Sequence, residues 1–149
     1  KELGYESKII TSGRKLNDSM PDYICKRLEK MFEEKDLEIK GSKILIMGIT
    51  FKENCNDARN SKMIEIYNML AKKGAAIDVY DPNVIKDEVK SNFGINLIKL
   101  DNIKENSYDC ILVGVAHTIF NTIDVDKLVN DNAIIFDIKG IYDNKYERL

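Results

Sequence analysis

Two cations stand in one loop of the sequence, Gly48–Ser61, which follows the first long apolar run. Lys52 and Arg59 come shortly before a segment with helical periodicity, so we expect them beside the N-terminus of a helix. Free backbone N–H groups and the positive end of the dipole favour anions there, and Lys and Arg add charge. The loop therefore suits a phosphate or another anion. The alternative is that Lys52 pairs with Glu53 or Asp57 and that Arg59 caps its own loop.

Histidine and cysteine offer little further chemistry. His117 ends an apolar run with no nucleophile beside it, which favours a structural role or a place at a substrate rim over a general base. Cys55 lies in the cationic loop, and we interpret it as loop packing. Cys25 and Cys110 fall on apolar segments and are expected in the core. An odd number of cysteines without CxxC argues against disulfides and zinc, so we expect no metal site.

The elements that must position these residues alternate along the chain. Apolar runs at Lys43–Gly48, Ala76–Tyr80, Ile95–Ile98, Cys110–Ala116 and Ala133–Asp137 predict strands. Between them we expect helices after Ser61, near Asn83–Ser91 and near Val125–Val129. Such alternation predicts an α/β fold, a Rossmann-like three-layer αβα arrangement with a mainly parallel sheet of about five strands, preceded by a helix.

The preceding helix is indicated by apolar residues at helical spacing, namely Ile24, Leu28, Met31 and Phe32. Asp18 or Ser19 can cap it, with Pro21 in the first turn, where its missing N–H costs nothing. The charged run Glu33–Lys40 is expected to hold the helix end and a linker that closes at Gly41.

A ligand of a parallel sheet lies outside the carboxyl ends of its strands. The segments expected there are Ile49–Asn60, Asp81–Asn83, Ala116–Phe120 and Asp137–Tyr142. The first contains Gly48 at its start but no GxGxxG, which argues against a dinucleotide bound wholly by this domain. Asp81 before Pro82 is interpreted as closing a strand into a turn.

Composition bounds the class of protein. The chain has 149 residues, 44% hydrophobic and 32% charged, with a formal charge of −2, as expected for one globular domain. No basic excess points to nucleic acid or an anionic membrane, and no apolar run approaches a span of about 20 residues. We expect a cytoplasmic protein. The chain starts at Lys1 without Met, which suggests a piece of something longer.

The cationic loop, read as GITFKENCNDARNS, closely resembles the G-x-x-F-K-x-x-x-x-D-x-R-x-S signature of the UDP-glucose/GDP-mannose dehydrogenase family, in its C-terminal UDP-binding domain. The resemblance continues in register at Gly13–Pro21, Gly74–Ala75, Val79–Pro82, Val115–Phe120 and Phe136–Gly140. GRxxNDxM, VAHxxF and DxKG look most like the members that oxidise UDP-N-acetylhexosamines.

The resemblance implies an NAD-dependent 6-dehydrogenase that converts a UDP-sugar to a UDP-uronic acid for surface polysaccharide biosynthesis. The full enzymes use a cysteine thioester, hold NAD on an N-terminal domain and dimerise through a central helical domain. These parts lie upstream, so we expect no catalytic residue here and an inactive isolated chain. Residues 1–40 would be the tail of the central domain with a connecting helix, and residues 41–149 the UDP-sugar-binding domain. The expected partners are the UDP-sugar, the missing domains, and a second copy in a homodimer or higher oligomer.

The resemblance also implies roles for individual residues that match the family's motifs. Phe51 and Lys52 match the pair that contacts the UDP-sugar, and Arg59 matches the arginine that reaches the NAD cofactor. Asp57 is expected to orient Arg59. Lys139 stands where UDP-glucose members carry an arginine, so a charge contact survives while the planar fork is lost.

Two other functions compete with this interpretation. The first is a non-catalytic Rossmann-like module for oligomerisation or interaction, with the loop cations in salt bridges. The second, a free-standing small Rossmann enzyme, is disfavoured by the absence of GxGxxG and of a nucleophile with an acid/base pair.

Overall fold

Strands and helices alternate after a first long helix. The structure, a computed structural model, describes residues 8–142 and 145–149. The helices are α1 (Lys8–Glu34), α2 (Lys62–Lys72) and α3 (Lys86–Phe93), and the strands are β1 (Lys43–Met47), β2 (Ala76–Tyr80), β3 (Tyr108–Val113) and β4 (Val129–Asp137). Short 3-10 turns lie at Leu100–Asn102, Thr118–Thr122 and Val125–Lys127. The predicted α/β Rossmann-like alternation is confirmed.

The described strands form a parallel sheet in the order β2-β1-β3-β4. Ile46 of β1 lies opposite Val79 of β2 on one side and Leu112 of β3 on the other. The chain therefore leaves β1 in one direction and returns to its other side at β3. The point where the strand order reverses lies between the carboxyl ends of β1 and β3, the usual place for a ligand in such sheets.

The expectation of about five strands is wrong by one. The segment Ile95–Ile98 forms a single bridge, Val79 to Leu97, and one bond from the Ile98 N–H to the Val79 carbonyl at 2.9 Å. It is confined between Gly94, which ends α3 in the left-handed conformation, and the 3-10 turn that begins at Leu100. The run between these stops is too short to form a ladder.

The two faces of the sheet are covered differently. Ile44 and Ile46 belong to the apolar cluster that includes residues of all three α-helices, while Leu45 and Met47 belong to a second cluster. The second cluster is closed by 3-10 turns, so the third layer is thinner than predicted. The helix expected near Val125–Val129 is one such turn, closed by an i+3 bond from the Leu128 N–H to the Val125 carbonyl at 3.1 Å. β4 already begins at Val129, which leaves no room for an α-helix.

The helix α1 begins earlier than Asp18 or Ser19, and Pro21 lies inside it. Residues 12–19 are exposed and, apart from Leu16, not apolar, so they carry no apolar stripe from which the helix could be predicted. The Ser19 hydroxyl donates to the Leu16 carbonyl at 2.9 Å in the turn before the proline, where the ring removes a backbone donor. Residues 1–7 of the expected segment 1–40 lie outside the described residues.

The second half of α1 packs as predicted. Its stripe is buried, with exposures of 4% for Ile24, 0% for Leu28, 8% for Met31 and 1% for Phe32. α1 packs on α2, whose predicted cap is also confirmed, since Ser61 accepts from the Met63 N–H at 3.3 Å.

This packing gives a matched test on one helix. Leu28→Ala is expected to lower the free energy of unfolding by about 2–5 kcal/mol, because it opens a cavity in a closed core. Leu16→Ala, the same change at a side chain that is 67% exposed, should stay within about 0.5 kcal/mol. Urea unfolding followed by circular dichroism measures both. Equal losses in the two variants would contradict this packing of α1.

Candidate functional site

The loop after β1, residues 48–61, leaves the sheet at a close backbone approach. Gly48 has φ +86°, and a Cβ added there would lie 2.7 Å from the Cβ of Val115 in the loop after β3. Only glycine combines that conformation with so little space. The loops after β1 and β3 are thereby brought into contact at the point where the strand order reverses.

A buried polar cluster joins three of the strand ends. His117, which follows β3 and is 1% exposed, lies with Nε2 3.0 Å from Oδ2 of Asp81, which follows β2. Its Nδ1 accepts from the backbone N–H of Asn54 at 2.9 Å and lies 2.8 Å from Nδ2 of Asn83. Because the Asn54 N–H can only donate, Nδ1 carries no proton and Nε2 donates to Asp81. The burial and hydrogen bonds of His117 are those of a structural side chain, the first of the two roles expected for it.

Asp81 does more than close a strand. Its Oδ2 also accepts from the Ile49 N–H at 2.8 Å, and its Oδ1 accepts from the Asn83 N–H at 2.9 Å. Asp81 and His117 lie 36 residues apart in the chain, and no spacing in the sequence predicts their contact. Their positions in the sequence could have indicated the contact, because each follows a predicted parallel strand. The carboxyl ends of parallel strands lie at one edge of the sheet. The contribution of Asn54 had no such signal, because it lies inside a long loop.

The β1 loop closes on itself and presents two side chains at its outer end. The Phe51 N–H donates to the Asp57 carbonyl at 2.7 Å, and the Thr50 hydroxyl donates to the Lys52 carbonyl at 2.8 Å. Phe51 is 64% exposed and Lys52 is also exposed. We call these two residues the Phe51–Lys52 tip. Within the described part of the chain Lys52 has no ion pair, so the predicted alternative of a pair with Glu53 or Asp57 is not observed.

Arg59 is held inside its own loop by Asp57. The Asp57 carboxylate accepts from Nε, Nη2 and the backbone N–H of Arg59 at 3.0, 2.9 and 2.9 Å. These side-chain and backbone hydrogen bonds lower the pKa of Asp57 to about 2, and the same carboxylate raises the pKa of Arg59. Asp57 therefore orients Arg59 as expected, and the alternative that Arg59 caps its own loop describes the same contacts. The guanidinium stays exposed beside a cavity of about 390 Å³ whose lining includes Asn56, Glu88 and Asn92.

The loop after β4 carries Lys139. Asp137, fully buried at the strand end, accepts from the N–H groups of Gly140 and Tyr142, both at 2.8 Å. The Tyr142 hydroxyl donates to the Phe120 carbonyl at 2.8 Å, and burial raises the pKa of Tyr142. These bonds fix the turn while Lys139 remains exposed, with no ion pair in the described residues. β1 and β4 are separated by β3, so the strands that precede the loops of Lys52 and Lys139 lie about 10 Å apart.

The remaining chemistry-bearing side chains are packed. The Cys55 thiol donates to the Lys52 carbonyl at 3.1 Å, as expected for loop packing. Cys25 and Cys110 are buried, and burial raises the pKa of each thiol, for Cys25 to about 11. Among residues 8–142 and 145–149 no cluster of His, Cys, Asp and Glu could hold a metal ion. None of the described helices is both long and apolar enough to cross a membrane.

Comparison with known families matches residues 45–144 to the "UDP-glucose/GDP-mannose dehydrogenase family, UDP binding domain". The matched range covers more than half of the chain and contains the last three residues of β1, the whole of β2, β3 and β4, and the loops described above. The chain belongs to this dehydrogenase family. The family resemblance that the sequence motifs suggested is confirmed.

Individual relatives and solved structures support the same family. UDP-N-acetyl-D-glucosamine 6-dehydrogenase of Salmonella typhi is 37% identical over 142 residues, 93% of this chain and 33% of the relative. Protein CapL of Staphylococcus aureus is 39% identical over 142 residues, 94% of this chain and 33% of its own. The crystal structure of NDP-N-acetyl-D-galactosaminuronic acid dehydrogenase from Methanosarcina mazei Go1 matches with a TM-score of 0.75 at 26% identity, over 89% of this chain and 28% of that one. The chain thus spans about a third of the length of these relatives.

The Asp57–Arg59 pair can be tested by titration. Arg59→Gln is expected to move the pKa of Asp57 from about 2 toward 3.8, because the two guanidinium hydrogen bonds that favour its charged form are lost while the backbone N–H bond remains. Since folding lowers this pKa, the pair stabilises the folded state above pH of about 4, and the contribution is lost as the pH falls toward 2. NMR titration of the carboxyl carbon measures the shift.

Lys52→Gln is the matched control, because it removes a cation from the same loop without touching Asp57. The pKa of Asp57 should then remain near 2. If the pKa of Asp57 rises equally in both variants, the summed positive charge of the loop lowers it. That result would contradict a specific Asp57–Arg59 pair.

Proposed function

We propose that this chain binds the UDP part of a UDP-N-acetylhexosamine for an NAD-dependent 6-dehydrogenase that makes a UDP-uronic acid for surface polysaccharide. The observation that carries this proposal is the exposed Phe51–Lys52 tip, which stands at the reversal point of the strand order in the segment matched to the family's UDP binding domain. The N-acetylated sugars named in two of the relatives support the choice of hexosamine.

The proposed contacts divide the ligand between two strand ends. Lys52, which has no ion pair among the described residues, supplies a positive charge to the diphosphate. The Phe51 ring supplies an apolar surface beside it. Lys139 supplies a second charge, from a loop that buried Asp137 holds. Two ammonium groups on separate loops suit an extended dianion better than a single phosphate, because each can approach a different oxygen.

NAD requires parts that the described residues do not contain. The β1 loop has Gly48 alone, and it is closed by the bond between Phe51 and Asp57 where a glycine-rich turn would admit a pyrophosphate. The residues fit one contact, through Arg59, whose guanidinium is exposed and oriented by Asp57. When bound, NAD+ accepts hydride in the two successive two-electron oxidations that, with one water, turn a primary alcohol into a carboxylate.

The catalytic nucleophile is proposed to lie outside this chain. Cys25 and Cys110 are buried with raised pKa values, and the Cys55 thiol donates to backbone carbonyls. The free thiols fit a reducing compartment, and we place the protein in the cytoplasm. We expect no NAD turnover by this chain alone.

A second role is favoured by the first half of α1. Residues 12–19 are exposed, and Leu16 among them is 67% exposed, while the second half of the helix packs on α2. We propose that residues 1–40 end a central helical domain and connect it to the binding unit at 41–149, and that the complete protein is a homodimer or larger. An interaction module without ligand binding is the competing function.

Calorimetric titration of UDP into this chain tests the proposal. We expect weak, roughly millimolar affinity, because half of the site is missing, and no heat with uridine, which lacks the diphosphate. Lys52→Ala should weaken UDP binding about fivefold, the loss of one modest charge contact of about 1 kcal/mol. Lys72→Ala, at the last turn of α2, is the control and should leave the affinity unchanged.

Two results would overturn the assignment. Equal affinities of the Lys52→Ala and Lys72→Ala variants would remove Lys52 from the site. Absence of UDP binding at millimolar concentration, together with a stable dimer of the chain, would favour the interaction module.

A further inference from the structure

We propose that His117 is a positioning residue that holds the Phe51–Lys52 tip in place for UDP. The inference rests on the proposed function and adds to it the buried group through which the ligand-contacting loop is fixed. In this proposal His117 does not touch the ligand. It acts through Asn54 and through Thr50, whose Oγ1 lies 3.2 Å from Nε2 of His117.

The middle of the β1 loop, residues 51–56, has few attachments to the rest of the protein. Among the described residues, every hydrogen bond that joins residues 51–56 to another element ends on His117 or Thr118. The Asn54 N–H donates to Nδ1 of His117 at 2.9 Å. The Asn54 side chain donates to the Thr118 hydroxyl at 3.0 Å and accepts from the Thr118 N–H at 3.1 Å. The remaining bonds of this segment stay within the loop.

Asn54 is also where the loop needs support. Its φ is +54°, in the left-handed region that asparagine tolerates better than most residues but at a cost. Its backbone N–H and both polar atoms of its side chain form hydrogen bonds with the segment after β3. The turn that sets the direction of the tip is therefore maintained by the contacts with His117 and Thr118.

His117 is itself immobilised from the other side. Its Nε2 donates to Asp81, which is anchored by the N–H groups of Ile49 and Asn83. The Phe120 ring packs edge-on at 5.1 Å between centroids. With both ring nitrogens occupied and 1% exposure, the imidazole has no atom left for a ligand. Its chemical requirement is a side chain that accepts from Asn54 and donates to Asp81 at once.

A double-mutant cycle on UDP affinity tests the proposal. His117→Ala should weaken UDP binding at least fivefold, since the tip loses its buried attachment. The double variant His117→Ala/Lys52→Ala should bind UDP only slightly more weakly than His117→Ala, because both changes remove the same contact. If the two residues acted independently, the fold-losses of the single variants would multiply. His117→Gln carries an amide oxygen and an amide N–H on one planar group, and it should restore affinity to within about threefold of the parent chain.

Amide hydrogen exchange reports the loop without ligand. The Asn54 and Phe51 amides should exchange at least tenfold faster in His117→Ala, with the Ile46 amide of β1 as internal reference. Tyr108→Phe is the control for a general loss of stability, since it removes the buried bond to Asp78 at the opposite end of the sheet. It should leave UDP affinity and the exchange of the Asn54 amide unchanged.

The outcomes separate this inference from the proposed function. If the parent chain fails to bind UDP, the proposed function falls and this inference with it. If the parent chain binds and His117→Ala binds equally well, only the inference is overturned. Multiplicative losses in the cycle, failure of Gln to rescue, or unchanged exchange of the Asn54 amide would also overturn it. Should His117→Ala not fold, Asn54→Gly takes its place as the variant expected to lose affinity, because glycine keeps the positive φ but lacks the side-chain bonds to Thr118. His117→Gln remains the variant expected to bind, and unchanged UDP affinity in Asn54→Gly would overturn the inference.

Discussion

The hydrogen bond from Nε2 of His117 to Oδ2 of Asp81, 3.0 Å long and closed to water, joins loops that the sheet alone only places side by side. A buried carboxylate is costly without partners, and Asp81 has three, from the segments after β1, β2 and β3. Satisfying Asp81 therefore requires all three segments to take one arrangement. A second buried carboxylate, Asp137, fixes the loop after β4 in the same manner. The carboxyl edge of the sheet is thus rigid inside and exposes side chains outside.

The charges at this edge are arranged unequally. Arg59 is paired with Asp57 within its loop, whereas Lys52 and Lys139 have no ion pair in the described residues. A formal net charge of −2 conceals this difference, because it sums side chains over the whole surface. Two exposed cations on a fixed scaffold, with an aromatic ring beside one of them, match the chemistry of a nucleotide diphosphate. Membership of a family with a UDP binding domain supports the same conclusion.

The features predicted correctly from the sequence are those that hydrophobic periodicity and strand order determine. The buried stripe of α1, the Ser61 cap, β1 and the segments at the carboxyl edge follow from apolar spacing and parallel topology. The prediction of a strand at Ile95–Ile98 is wrong because strand propensity is a local property. A strand also needs paired residues on both sides of a bridge, and this segment has a single bridge. The start of α1 carries no apolar pattern. The partnership of His117, Asp81 and Asn54 depends on how the β1 loop folds back, which no spacing in the sequence encodes.

Mapping the bound nucleotide on the chain tests the central claim most directly. Amide chemical shifts recorded while UDP is added should move at Phe51–Asn54 and at Lys139–Gly140, with little change at the opposite edge near Lys43 and Asp109. Shifts confined to that opposite edge, or to the cavity between Arg59 and α3 with Lys52 and Lys139 unaffected, would contradict the account.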